Sequence, residues 1–136
     1  MKSKGKLVII GGAVNKGSFT ETSFDQNVEK NLNFFERGIL RKIIDESKSK
    51  EDSIIEVITT ASQIPDIVGP EYKKAFEYLG IKNCNILDIQ NREQANSDAI
   101  VARANAADVV MFTGGDQLRL TSILGGTRFH DAILTK

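Results

Sequence analysis

The stretch Asp108–Thr127, DVVMFTGGDQLRLTSILGGT, decides the fold. Val109, Val110, Met111 and Phe112 form an unbroken apolar run, as expected of a strand covered on both faces in a parallel α/β sheet. Gly114-Gly115 ends that run. Asp116 is placed to cap a helix whose Leu118, Leu120, Ile123 and Leu124 fall within three turns, and Gly125-Gly126 supplies its stop. The unit is strand, glycine turn, helix. A turn without side chains lets a ligand approach the backbone, and amides at a helix start stabilise negative charge, as one half of an oxyanion hole does. The glycines are equally compatible with a plain tight turn. No Lys-Ser or Lys-Thr follows them, so the P-loop pattern fails, and G-x-G-x-x-G is not matched either. Asp116 and Gln117 add two polar side chains at the rim where a parallel sheet presents its ligands.

Working outward, KLVII at Lys6–Ile10 reads as a first strand that stops at Gly11-Gly12, so two glycine turns at strand ends suggest one shared crevice. Residues 14–31 are a polar excursion, either laid over a site or a solvated loop, and no residue in it is nominated. Phe34–Glu46 has Phe35, Ile39, Leu40, Ile43 and Ile44 at helical spacing, with Gly38 inside. Ile54–Thr59 is a second strand, followed by Thr60-Ala61-Ser62, whose hydroxyls either line a site or cap the next helix. Ser62 makes a weak nucleophile, since no histidine is near in sequence and no G-x-S-x-G elbow surrounds it. The next helix is expected to start with Pro70 at its first position and to end at Gly80, with Tyr72, Ala75, Phe76 and Leu79 on one face. Ile81–Ile89 gives the third strand. A polar entry at Arg92-Glu93 leads to an alanine-rich helix over Asn96–Ala106, and a last short helix follows within Thr127–Lys136. Strand and helix alternate, which predicts α/β architecture with a parallel sheet and right-handed crossovers.

The 136 residues fit one domain. Eighteen basic residues balance eighteen acidic ones, which argues against a nucleic-acid footprint. No apolar run is long enough to span a membrane, and the basic start leads into only four apolar residues before Gly11, too few for a signal peptide; a cytoplasmic location is the default expectation. Cys84, the one cysteine, lies in an expected strand and reads as a buried inert thiol. His130 is the only histidine and cannot supply a metal cluster; it reads as a surface or helix-face residue.

With VIIGGA at Val8–Ala13, VITTAS at Val57–Ser62 and FTGGDQLRLTSILGGT at Phe112–Thr127, the sequence resembles the cyanophycinases, in the serine-peptidase family that also contains peptidase E. The Gly114-Gly115-Asp116-Gln117 block is the most specific of the three motifs. The resemblance implies a doubly wound, mainly parallel sheet with helices on both faces, related to class I glutamine amidotransferases. It implies serine-type cleavage, without metal or cofactor, of the arginine-and-aspartate polymer cyanophycin to β-aspartyl-arginine dipeptides. It places the Gly115 amide in the oxyanion hole and Gln117 in the substrate pocket, with Gly114 beside it and Asp116 shaping the turn. A homodimer is implied by similarity.

The sequence departs from the family in one respect. The family's nucleophilic serine sits in a G-T-S-A-G-type elbow after the GGDQ helix, with its histidine further along. Neither is present here. Gly125–Thr127 is followed by Arg128 and Phe129 instead of serine and alanine, and His130 occupies no matching position. The expectation is therefore an amino-terminal half of one hydrolase domain, truncated before the nucleophile strand, partnered by a missing carboxy-terminal half and inactive alone. Such a half, with four strands, would expose an apolar sheet edge. Two alternatives stand beside it: a peptidase E-like aspartyl dipeptidase, and a non-catalytic nucleotide-binding domain with both glycine turns cradling phosphate. The latter lacks the ribose-binding acid on a second strand about twenty residues beyond Gly12.

Overall fold

A computed structural model describes residues 5–10 and 38–136. In chain order the elements are α1 (Ile39–Glu46), a 3₁₀ turn (Lys50–Asp52), β1 (Ile54–Ile58), α2 (Pro65–Tyr78), β2 (Asn83–Leu87), α3 (Arg92–Ala95), α4 (Asp98–Ala106), β3 (Val109–Phe112), α5 (Gln117–Leu124) and α6 (Arg128–Leu134). The three strands form one parallel sheet in the order β2-β1-β3. Asp108 sets the start of β3 against β1: its amide donates to Ile54 O at 2.9 Å, and its Oδ2 accepts from Ile54 N at 2.8 Å.

Alternation along the strands sends side chains to two covered faces. Ile55 and Val57 of β1, with Cys84 and Met111, pack under Leu40 and Ile44 of α1 and Tyr72, Ala75 and Phe76 of α2. On the other face Ile58 and Leu87 meet Ala104 of α4, Leu124 of α5, and Phe129 and Ala132 of α6. Burying each large side chain stabilises the fold by about 1.5–3 kcal/mol. Gly69 lets α2 come close to β2, since a Cβ there would lie 3.0 Å from the Ile86 side chain. Glu56 also faces the α4 side, only 3% exposed, and Arg103 holds it with two hydrogen bonds of 3.1 and 2.7 Å.

Several expectations shift. Lys6–Ile10 carries no strand assignment; Leu7 and Ile9 are 86% and 87% exposed, and the segment runs beside α1, where Lys6 pairs with Glu46. Hydrogen bonds and charge from Lys6, then Lys42, hold the Glu46 carboxyl below its ordinary range. The described residues therefore contain a sheet of three strands, not four. Gly38 is the N-cap of α1 and not an interior residue. The second helix starts at Pro65, where the missing N–H is one of the unpaired helix-start donors anyway, and Pro70 sits inside it. The polar entry at Arg92 is itself a helix: Asn91 caps α3 through Gln94 N, and Ser97 caps α4 through Ile100 N. Gly11-Gly12, the 14–31 excursion and Phe34-Phe35 lie outside the described residues. Among the described residues no helix is long and apolar enough to cross a membrane.

Candidate functional site

The strands end in register, Ile58 opposite both Leu87 and Phe112, so the segments that leave them share one rim. Thr59–Ser62 follows β1, Asp88–Gln90 follows β2, and Thr113–Gln117 follows β3. Two backbone bonds extend the ladder past the strands, Thr59 N to Leu87 O at 3.2 Å and Thr113 N to Ile58 O at 3.0 Å.

The glycine corner after β3 is pinned to the segment after β1. Asp116 N donates to Ala61 O at 2.8 Å. Gly115 has φ +143°, and a Cβ on it would lie 2.1 Å from Ala61 O and 3.1 Å from Ser62 N. Only glycine tolerates that conformation against that neighbour. Gly115 is exposed, and among the described residues its N–H makes no hydrogen bond. Asp116 caps α5: its Oδ1 accepts from Leu118 N at 2.9 Å and from Arg119 N at 3.1 Å. Arg119, on the first turn of α5, reaches back to donate Nε to Thr60 O at 2.9 Å. Gly114 and Gln117 are exposed on either side of this corner.

Beside it lies an open pocket of about 280 Å³ lined by Ser62, Gln63, Pro65, Asp88, Gln90 and Arg119. Asp88 accepts from Thr59 Oγ1 at 3.2 Å and from Gln90 Nε2 at 2.9 Å. The Ser62 hydroxyl is an acceptor for Ile64 N at 3.1 Å, tying down the loop that enters α2. The structure thus brings together Gly114, Gly115, Asp116 and Gln117 at one corner and adds Asp88, Gln90 and Arg119 next to them. Asp88 and Gln90 carry no motif; the signal for them is only that polar residues follow a strand end.

His130 lies apart, on α6. Its Nδ1 accepts from Gly126 N at 3.0 Å, so it braces the turn between α5 and α6. Cys84 is buried in the core, and desolvation pushes its thiol up to about 12. Among the described residues no group of three histidine, cysteine, aspartate or glutamate side chains could hold a metal ion.

No family model matches the chain. Among characterised proteins it is 40% identical over 97 residues to the cyanophycinase of Nostoc sp. (strain PCC 7120), covering 71% of this chain and 32% of that protein. It is 34% identical over 82 residues to the cyanophycinase of Geminocystis herdmanii, covering 60% of this chain and 30% of the relative. The chain is cyanophycinase-like. The cyanophycinase-like sequence spans about a third of the length of these curated relatives. Among solved structures, the crystal structure of a peptidase from an acI-B1 Actinobacterium superposes with TM-score 0.56 at 22% identity, over 78% of this chain and 42% of the other. That likeness carries the α/β fold.

Proposed function

We propose that residues 1–136 form the amino-terminal half of a serine-type hydrolase that cleaves cyanophycin to β-aspartyl-arginine dipeptides. One observation carries this: the exposed Gly115 amide, unbonded among the described residues, is held at the sheet rim by a backbone contact that only glycine permits. A serine attacking the scissile carbonyl places negative charge on the carbonyl oxygen, and a fixed, unshared N–H at that point stabilises it. One such donor contributes about 3 kcal/mol to lowering the barrier. Gly114 leaves the approach to the corner open, since no atom lies within 4 Å of where its side chain would begin. Gln117 offers an amide that both donates and accepts, suited to a substrate rich in amides and carboxylates. Asp116 shapes the turn through its cap and holds no catalytic proton in this scheme.

The nucleophile and base belong to residues outside 1–136. The chain's one histidine has Nδ1 engaged with Gly126, and among the described residues no serine hydroxyl bonds to it. The similarity to cyanophycinases over a third of their length supports the same division. The test is release of dipeptide from cyanophycin, with short aspartyl dipeptides as comparison substrates, by the full-length protein beside a purified chain shown by mass spectrometry to end at Lys136. Turnover by the full-length protein alone is expected. Turnover by the 136-residue chain would overturn the division, and an inactive full-length protein would overturn the hydrolase assignment.

A further inference from the structure

Elsewhere the fold joins opposite charges in close pairs, Arg103 with Glu56 and Arg128 with Asp98, each at 2.7 Å. The pocket beside the glycine corner does the opposite. Asp88 is held by two neutral donors, Thr59 Oγ1 and Gln90 Nε2, and among the described residues its charge meets no cation. Arg119 is fixed through Nε on Thr60 O, which leaves its terminal Nη groups without a partner among the described residues. Both side chains line the same open pocket of about 280 Å³, and they do not pair with each other. The geometry points to a binding site for a small zwitterion of amino-acid or dipeptide size, its ammonium on Asp88 and its carboxylate on Arg119.

The chemistry of the walls matches that ligand. A guanidinium immobilised through Nε offers its remaining N–H groups as a planar fork to a carboxylate. Each Asp88 oxygen, having accepted one hydrogen bond, keeps a further lone pair for an ammonium group. Ser62 uses its oxygen as acceptor for Ile64 N, and among the described residues its hydroxyl proton has no acceptor, so it can donate to a ligand. An anion alone would leave Asp88 facing it without compensation, and a cation alone would do the same to Arg119. The volume of about 280 Å³ lies just below the roughly 300–1,000 Å³ usual for ligand pockets, which fits a molecule the size of a dipeptide better than a polymer segment. Nothing in this assignment depends on the hydrolytic one, because the pocket binds through side chains and the corner acts through a backbone amide.

The experiment titrates the protein with alanyl-alanine, N-acetyl-alanyl-alanine and alanyl-alanine amide, three ligands on one skeleton that carry both charges, the anion only and the cation only. Amide shifts of Ser62, Gln63 and Gln90 and the Arg119 Nε signal are followed by NMR. Saturable shifts with a Kd on the order of 1 mM are expected for the free dipeptide, with each capped form about tenfold weaker. Asp88→Asn keeps the shape and should weaken the free dipeptide about tenfold while leaving the acetylated form no weaker, because it removes the charge that opposed that anion. Shifts that do not saturate, capped forms that bind as well as the free dipeptide, or an Asp88→Asn effect equal on all three would overturn the assignment. Should Asp88→Asn not fold, the comparison of the three ligands on the unaltered protein decides alone. Binding without hydrolysis would leave this site standing while the cyanophycin reading fell, and hydrolysis without binding would do the reverse.

Discussion

A methyl group added at Gly115 would sit 2.1 Å from the carbonyl oxygen of Ala61, in a backbone conformation with φ +143°. Gly115→Ala must therefore move the corner off the segment after β1, and it is expected to lower stability by about 3 kcal/mol, read from the denaturation midpoint. Gly114→Ala meets nothing within 4 Å and should change stability by no more than about 0.5 kcal/mol. The sequence presents the two glycines as equals; only the return of the chain against Ala61 separates them. Cys84 is a second residue with a defined expectation. Burial raises its thiol from about 9 to about 12, so the native protein should resist iodoacetamide at pH 8 and react at the rate of global opening. The raised value favours the folded state below pH 9, and that contribution is lost as pH rises through about 12. Fast alkylation of folded protein at pH 8 would contradict this placement. The burial of Cys84 was legible from its place in an expected strand, which α2 covers.

At the scale of elements, the Glu56–Arg103 pair locks α4 onto β1, and Arg103 also donates to Ile86 O of β2 at 3.2 Å. The partners differ in exposure, 3% for Glu56 against 41% for Arg103. Removing the arginine strands a buried carboxylate, whereas removing the acid leaves a cation that water can reach. Arg103→Ala is expected to destabilise by about 3–5 kcal/mol and Glu56→Gln by distinctly less, measured by urea unfolding. Equal losses would show that the pair acts symmetrically. The expected strand over Ile54–Thr59 carries one acid, Glu56, but its partner lies 47 residues away and no local pattern names it. The helix α5 was legible in full because Asp116, the leucines and the glycine stop all agree. The start of α2 was not, because Pro65 and Pro70 both suit a first turn. The tether from Ser62 Oγ to Ile64 N, just before Pro65, accompanies the earlier start.

Among the described residues both outer strands of the sheet lack a further partner, and they differ in the side chains they carry. On β2, Asn85 Nδ2 donates to Asn83 Oδ1 at 2.9 Å, whereas β3 carries Phe112, which is 40% exposed. An unpaired apolar edge recruits other chains. The 136-residue chain should show a sedimentation coefficient that rises with concentration, and Phe112→Lys should flatten that dependence; a monomer at every concentration would refute it. The parallel α/β class was legible because apolar runs alternated with helical spacing. The zwitterion pocket was not, because Asp88, Ser62 and Arg119 meet only once the strand order β2-β1-β3 sets their segments side by side. The bond from Asp116 to Ala61 has one more consequence. It ties together positions about fifty-five residues apart, so while the chain is still being synthesised there is no corner at all. A nascent chain cannot build this rim until β3 has left the ribosome and zipped onto β1, and the exposed Gly115 amide takes its fixed place in the same moment as the sheet.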